Sequence, residues 1–147
     1  MIQSTGHFGS GAASPGRVEL KIDSDPANLR QVRERIEEFA LSAGLSREDS
    51  DAIGLVVNEA LANVIRHGYG GATDRPILVT AETEPGAVRL TIRDWSTPFD
   101  PSRLPVKKKG ELKPGGLGLV CIKELMDEVK FSPLSDGMQL TMVKRGK

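Results

Sequence analysis

"VVNEALANVIRHGY", residues 56–69, decides the fold, because a wide apolar face recurs along it at helical spacing. Glu59 and Asn63 flank this face four residues apart, so they lie one turn apart on the same side of the helix. Helical Glu and Asn most often lie at the solvent margin, and the alternative is a polar site beside the apolar face. The apolar face consists of Ile53, Val56, Val57, Ala60, Leu61, Val64 and Ile65.

The composition is typical of one soluble globular domain: 147 residues, 38% hydrophobic, 27% charged and a formal net charge of zero. The mixed charges argue against direct binding to nucleic acid. No stretch approaches the roughly 18 apolar residues of a membrane span. The single cysteine, Cys121, excludes an internal disulfide and fits a reducing compartment. We therefore expect a cytoplasmic protein that binds neither nucleic acid nor membrane.

The N-terminal segment MIQSTGHFGSGAASPG is rich in Gly and Ser and lacks the apolar run of a signal peptide. We expect a disordered arm over residues 1–16 and one ordered domain over residues 17–147.

Alternation of apolar residues and helix-start signals predict the element order β-α-α-β-β-loop-α-β-β. Asp25 before Pro26 starts one helix, and Ser46 caps the helix quoted above. The third helix is GLGLVCIKELMDEV, residues 116–129. The order predicts an α+β fold, a two-layer α/β sandwich with about three helices on one face of a mixed, mostly antiparallel sheet. The predicted strands are RVELKID, PILVTAETE, AVRLTIRD, EVKFSPL and MQLTMVK.

Three glycines, Gly115, Gly116 and Gly118, precede and open the third predicted helix. A helix start offers free N–H groups and a partial positive charge, and glycine lets the oxygens of an anion approach the backbone closely. The segment therefore indicates a phosphate site, with a flexible hinge as the alternative.

Asp94 lies where the strand AVRLTIRD gives way to a long proline-rich loop, residues 95–114. A carboxylate at this position can point into a pocket and accept a hydrogen bond from an amino group such as that of adenine. The alternative is an aspartate that only opens a turn.

Together these segments resemble the GHKL ATPases, which have the Bergerat fold. The shared order is N-E-x-x-x-N on a helix, then D-x-(small)-x-P-F-D-P, then G-G-L-G-L at a helix start. Within that superfamily NEALANVIRHGY, PFDP and GGLGLVCIKELMDEV look most like the anti-sigma factor serine/threonine protein kinases of bacterial partner-switching systems. The resemblance covers roughly Val18 to Lys144.

The resemblance implies roles for the residues singled out above. Asn63 matches the Mg²⁺ ligand and Glu59 the general base, and Asp94 matches the residue that recognises adenine. These roles suit phosphoryl transfer, which depends on positioning and charge neutralisation, and Mg²⁺ prefers oxygen ligands.

Further expectations follow from the same resemblance. Residues 99–114 match a short ATP lid, in which Lys107–Lys109 would meet phosphate or a partner's charge. His67 would line the pocket, with an exposed histidine as the alternative. Ser96 stands where the family usually has glycine, so its side chain would crowd the purine or supply a hydroxyl to it. The cofactor-binding helix start comprises Gly115, Gly116, Leu117, Gly118 and Leu119.

The implied function is that of an ATP- and Mg²⁺-dependent serine/threonine protein kinase. Its substrate would be a STAS-type anti-anti-sigma protein, and it would also bind a sigma factor or another regulatory target. Members commonly dimerise, which leaves a homodimer open. The alternative is a non-catalytic ATP-binding switch that sequesters a partner protein, and Glu59 argues against it because binding alone requires no base.

Overall fold

A computed structural model of the chain shows an antiparallel sheet with three helices packed against it, and it describes residues 8–14, 16–98 and 116–146. The described strands form one six-stranded sheet in the order β1-β2-β3-β4-β6-β5, and every pairing is antiparallel. The predicted α+β fold is confirmed. The strands are β1 Phe8–Ser14, β2 Arg17–Asp23, β3 Pro76–Glu84, β4 Ala87–Asp94, β5 Glu128–Leu134 and β6 Gly137–Arg145, and the helices are α1 Leu29–Ser42, α2 Arg47–Asn63 and α3 Gly116–Leu125.

One face of the sheet carries the core. The strand register pairs Leu20 with Val79, Val79 with Ile92, and Ile92 with Leu140, so these buried side chains form a row across four strands. Because side chains alternate between faces, the row marks the face that the helices cover. Residues from all three helices join the same buried cluster, among them Val32, Ile36, Val57, Leu61 and Ile122. The prediction of helices on one face is therefore confirmed.

Local signals start the two long helices as the sequence indicates. The Asp25 side chain accepts a hydrogen bond from the Ala27 N–H at 2.9 Å, and a short 3-10 turn, Pro26–Asn28, leads into α1. The Ser46 hydroxyl accepts the Asp49 N–H at 3.1 Å. Each cap satisfies a backbone donor that a helix start leaves free.

Strand β1 corrects the expectation of a disordered arm over residues 1–16. Residues 8–14 pair with β2 from Phe8 opposite Ile22 to Ser14 opposite Arg17. A strand edge offers unpaired N–H and C=O groups, and pairing with it needs backbone rather than apolar side chains. A Gly/Ser-rich composition therefore does not exclude a strand. Residues 1–7 lie outside the described residues, and the single domain over 17–147 stays a prediction.

The second helix ends in a π-helical turn, and the third helix ends earlier than expected. Regular α-helix in α2 stops at Asn63, and one π-helical turn, Val64–Gly68, follows. Helix α3 stops at Leu125 instead of continuing through 129, because residues from Glu128 onward pair with β6 and the sheet takes up their backbone groups. None of the helices in the described parts of the chain is long and apolar enough to cross a membrane.

Candidate functional site

The carboxylate of Glu59 lies on the side of α2 that faces α3. Helices α2 and α3 pack directly against each other, and Glu59 is half-buried. Burial raises the pKa of the Cys121 thiol on α3, and the negative charges of Glu59 and Glu124 add to that increase. The charge of Glu59 thus acts on a thiol of α3, and the Glu59 side chain is only partly exposed.

Asn63, one turn after Glu59, carries an unusual oxygen. Its Oδ1 atom is buried and has no hydrogen-bond partner among the described residues. A buried polar atom without a partner costs free energy unless a ligand satisfies it. A carboxamide oxygen is a ligand type that Mg²⁺ accepts.

The described part of the chain holds no group of three or more His, Cys, Asp or Glu residues that could bind a metal ion. A cation at Asn63 would therefore draw its other ligands from water and from the phosphates of a nucleotide, as Mg²⁺ commonly does. The residues present fit that kind of site.

Helix α3, which packs against α2, begins with glycine. Gly116 is its first residue and Gly118 falls in its first turn, so the predicted helix start is confirmed. The free N–H groups of such a start favour an anion. We call Glu59, Asn63 and the start of α3 the helix site. Gly115 and the predicted lid, 99–114 with Lys107–Lys109, lie outside the described residues, as do the side chains of Leu117 and Leu119.

Asp94 is the last residue of β4, and it is only 5% exposed. Its Oδ1 atom accepts two hydrogen bonds from Ser96, one from the backbone N–H at 2.9 Å and one from the hydroxyl at 2.6 Å. Ser96 is itself only 8% exposed. The Ser96 hydroxyl is therefore directed at the carboxylate, an arrangement that sequence reasoning did not anticipate.

The Ser96 side chain packs closely against Gly68. A Cβ atom added to Gly68 would lie 3.1 Å from the Ser96 Oγ and 3.2 Å from its Cβ, tighter than ordinary van der Waals contact. Gly68 is not among the glycines with positive φ, so the absence of a side chain, and not backbone freedom, is what matters at this position.

The Tyr69 hydroxyl makes two hydrogen bonds at the end of β4. Its hydroxyl accepts the Trp95 N–H at 2.8 Å and donates to the Pro76 carbonyl at 2.5 Å, so it joins the end of β4 to the start of β3. Burial raises the pKa of Tyr69, the Trp95 bond opposes the increase, and the charge of Asp94 adds to it. The neutral hydroxyl can serve as both donor and acceptor.

Arg93 holds the same backbone from the opposite face of the sheet. Its guanidinium donates to the Asp94 carbonyl, bonds the Asp136 carboxylate at 2.5 Å and stacks on Trp95 at 4.3 Å from the ring centroid. Trp95 is 41% exposed. Asp94 thus sits on a backbone fixed by Tyr69 on one side and Arg93 on the other.

The predicted residues lie in two groups, and the π-helical turn Val64–Gly68 connects these groups along the chain. We call Asp94, Ser96, Gly68 and Tyr69 the strand-end site. Gly68 and Tyr69 were missed as site residues, because the residues that they contact at the strand ends lie at least seven positions away in the sequence. His67 is exposed on the π-helical turn, and its role in lining a pocket stays a prediction.

Comparison with known proteins finds a family model and relatives that match most of this chain. The family model for the histidine kinase-like ATPase domain matches residues 22–144. An anti-sigma F factor from Halalkalibacterium halodurans is 30% identical over 117 residues, covering 77% of this chain and 80% of the relative. The serine-protein kinase RsbW of Listeria innocua is 28% identical over 139 residues, covering 87% of this chain and 86% of the relative.

A solved structure is also similar to the structure of this chain. The crystal structure of the RsbU and RsbW domains of a Mycobacterium tuberculosis protein matches with a TM-score of 0.65 at 21% identity. The match covers 88% of this chain and 32% of that chain. At this identity the likeness shows the fold.

Proposed function

Because this chain belongs to the family of histidine kinase-like ATPase domains, we propose that it is an ATP- and Mg²⁺-dependent serine/threonine protein kinase of a bacterial partner-switching system. In this proposal it acts in the cytoplasm on a STAS-type anti-anti-sigma protein, and it also binds a sigma factor or another regulatory target. Relatives named anti-sigma F factor and serine-protein kinase RsbW support the proposal.

The observation that carries the proposal is the pair on α2. Glu59 faces α3, and one turn further Asn63 buries an oxygen without a partner among the described residues. One helical turn is about 5.4 Å, close to the width of a phosphoryl group. The pair thus offers a base and a cation ligand one turn apart, on a helix that packs against α3, and phosphoryl transfer depends on such positioned groups.

Each residue then has a distinct task. The N–H groups at the start of α3 hold phosphate oxygens, and Asp94 accepts a hydrogen bond from the adenine amino group. Asn63 is the residue that would hold Mg²⁺, and the ion would supply positive charge to neutralise the phosphates.

In the transfer step Glu59 accepts the proton of a serine or threonine hydroxyl on the partner. The hydroxyl oxygen forms a bond to the γ-phosphorus, and the bond from that phosphorus to the β–γ bridging oxygen breaks. ADP leaves with the electron pair of that bond. The half-buried position of Glu59 is compatible with access by the partner's side chain.

The test is transfer of label from γ-labelled ATP with Mg²⁺ to proteins in a lysate of the source organism. The native chain is compared with Glu59→Ala and with Glu38→Ala, which removes an exposed carboxylate on α1. We expect a small protein labelled on serine or threonine by the native chain and by Glu38→Ala. With Glu59→Ala the rate should fall about 10²- to 10⁴-fold, the usual contribution of a general base.

ATP binding is measured on the same three proteins. Glu59→Ala should bind ATP about as tightly as the native chain, because a base acts in the transfer step. Transfer that persists at full rate in Glu59→Ala would contradict the assigned role. Tight ATP binding without any labelled protein would instead indicate a nucleotide-binding switch.

A further inference from the structure

The Ser96 hydroxyl changes what the Asp94 carboxylate can offer to a nucleobase. An ionised carboxylate only accepts hydrogen bonds, so between these two oxygens, 2.6 Å apart, the hydroxyl must be the donor. The Ser96 N–H occupies the same Oδ1 atom at 2.9 Å. A carboxylate oxygen has about two acceptor positions, and Ser96 fills both on Oδ1.

We propose that Ser96 makes the strand-end site select adenine over guanine by saturating Asp94 Oδ1. Adenine presents one amino donor beside a ring nitrogen that accepts, and that donor needs only one carboxylate oxygen. Guanine presents two adjacent donors, N1–H and the 2-amino group, which match both oxygens of a free carboxylate. With Oδ1 occupied, the paired mode is blocked while the single adenine bond remains available through Oδ2. This inference rests on the proposed function and names the residue that sets its preference for adenine.

The surroundings keep Ser96 in this arrangement. Asp94 and Ser96 are both buried, so water does not readily replace their bond. Gly68 lies against the Ser96 side chain, and any side chain at that position would push the hydroxyl by a few tenths of an ångström. Tyr69 and Arg93 bond the N–H and the C=O of the peptide group between Asp94 and Trp95, so the backbone that links Asp94 to Ser96 is held in place. Base selection thus depends on a contact between the strand end and the π-helical turn.

The decisive variant is Ser96→Ala, which removes the hydroxyl and retains the Cβ atom against Gly68. It frees one acceptor position on Oδ1, while the residue 96 N–H still occupies the other. Affinities for ADP, GDP and IDP are measured by calorimetric titration in Mg²⁺, because diphosphates carry no transferable phosphate. The ratio of the GDP to the ADP dissociation constant should be high for the native chain and about tenfold lower for Ser96→Ala, the usual value of one hydrogen bond to a charged group.

Two further comparisons identify the cause. GDP should gain more affinity than IDP, whose base has N1–H but lacks the 2-amino donor. Gly68→Ala should lower the ratio in the same direction by a smaller factor, since it displaces Ser96 without removing the hydroxyl. Thr97→Ala, which removes an exposed hydroxyl one residue away, should leave the ratio unchanged.

The outcomes distinguish a failure of this inference from a failure of the proposed kinase function. An unchanged ratio in Ser96→Ala, or an equal loss of affinity for ADP and GDP, would overturn the role of Ser96 and leave the kinase proposal intact. A native chain that binds none of the three nucleotides would overturn both.

Discussion

The helix site and the strand-end site differ in how completely their polar groups are satisfied. At the strand-end site Asp94 Oδ1 accepts two bonds from Ser96, and the Tyr69 hydroxyl both donates and accepts. At the helix site the Asn63 Oδ1 atom is buried without a partner among the described residues. The strand-end site is therefore preformed, whereas in our proposal a bound ligand completes the helix site. Substitutions at the first should cost stability as well as binding, and substitutions at the second should cost binding or transfer alone.

Asp94→Ala should have the largest combined effect. It removes the acceptor of two Ser96 donors that lie in a buried position, so the free energy of unfolding should fall by about 1–3 kcal/mol. Loss of the bond to the adenine amino group should weaken ATP binding at least about tenfold. Chemical denaturation and calorimetric titration measure the two quantities.

Asp94→Asn is the matched control for that variant. Its amide retains an oxygen that can accept from Ser96 but places an NH₂ donor near the adenine amino group. Stability should therefore recover most of the loss while ATP binding stays weak. Equal stability of Asp94→Ala and the native chain would contradict the preformed character of the strand-end site.

Tyr69→Phe should have a smaller effect on stability. It keeps the ring but removes the hydroxyl that joins Trp95 to Pro76, so the free energy of unfolding should fall by about 1 kcal/mol. The ATP dissociation constant should rise only a few-fold, because Asp94 keeps its bonds to Ser96. The same denaturation and titration experiments apply. A variant as stable as the native chain would mean that Arg93 alone fixes the strand end.

The smallest predicted effect reports on the position of Glu59. Its charge helps to raise the pKa of Cys121, so Glu59→Gln should lower that pKa, raise the thiolate fraction at pH 8 and speed alkylation by iodoacetamide. We therefore expect the alkylation rate to rise. Glu124→Gln should give a smaller increase, and Glu38→Gln none. An alkylation rate in Glu59→Gln equal to that of the native chain would place the carboxylate away from α3.

Features set by local sequence could be predicted well, and features set by distant contacts could not. The alternation of RVELKID and the caps at Asp25 and Ser46 depend on neighbouring residues, and they appear in the structure as expected. Strand β1 was missed because backbone pairing with an exposed edge leaves little trace in a Gly/Ser-rich composition. The π-helical turn after Asn63 also has no clear local signal.

Prediction of the candidate site divides in the same way. Glu59, Asn63 and Asp94 were found from motif spacing, although their roles remain proposals. The contact of Gly68 with Ser96 joins positions 28 residues apart, and it depends on how α2 and β4 pack together. The absence of a partner for Asn63 Oδ1 among the described residues is also a property of packing. Motif spacing predicts which side chains are neighbours, but not which hydrogen bonds they make.

The measurement that tests this contrast most directly is the Mg²⁺ dependence of ATP binding in the native chain and in Asn63→Ala. Affinity is measured with Mg²⁺ and with EDTA, alongside the free energy of unfolding of each protein. We predict that Mg²⁺ tightens binding to the native chain about tenfold or more, and that Asn63→Ala loses most of this gain while its stability changes by less than about 1 kcal/mol. The same Mg²⁺ dependence in both proteins, or a stability loss as large as that of Asp94→Ala, would contradict the account.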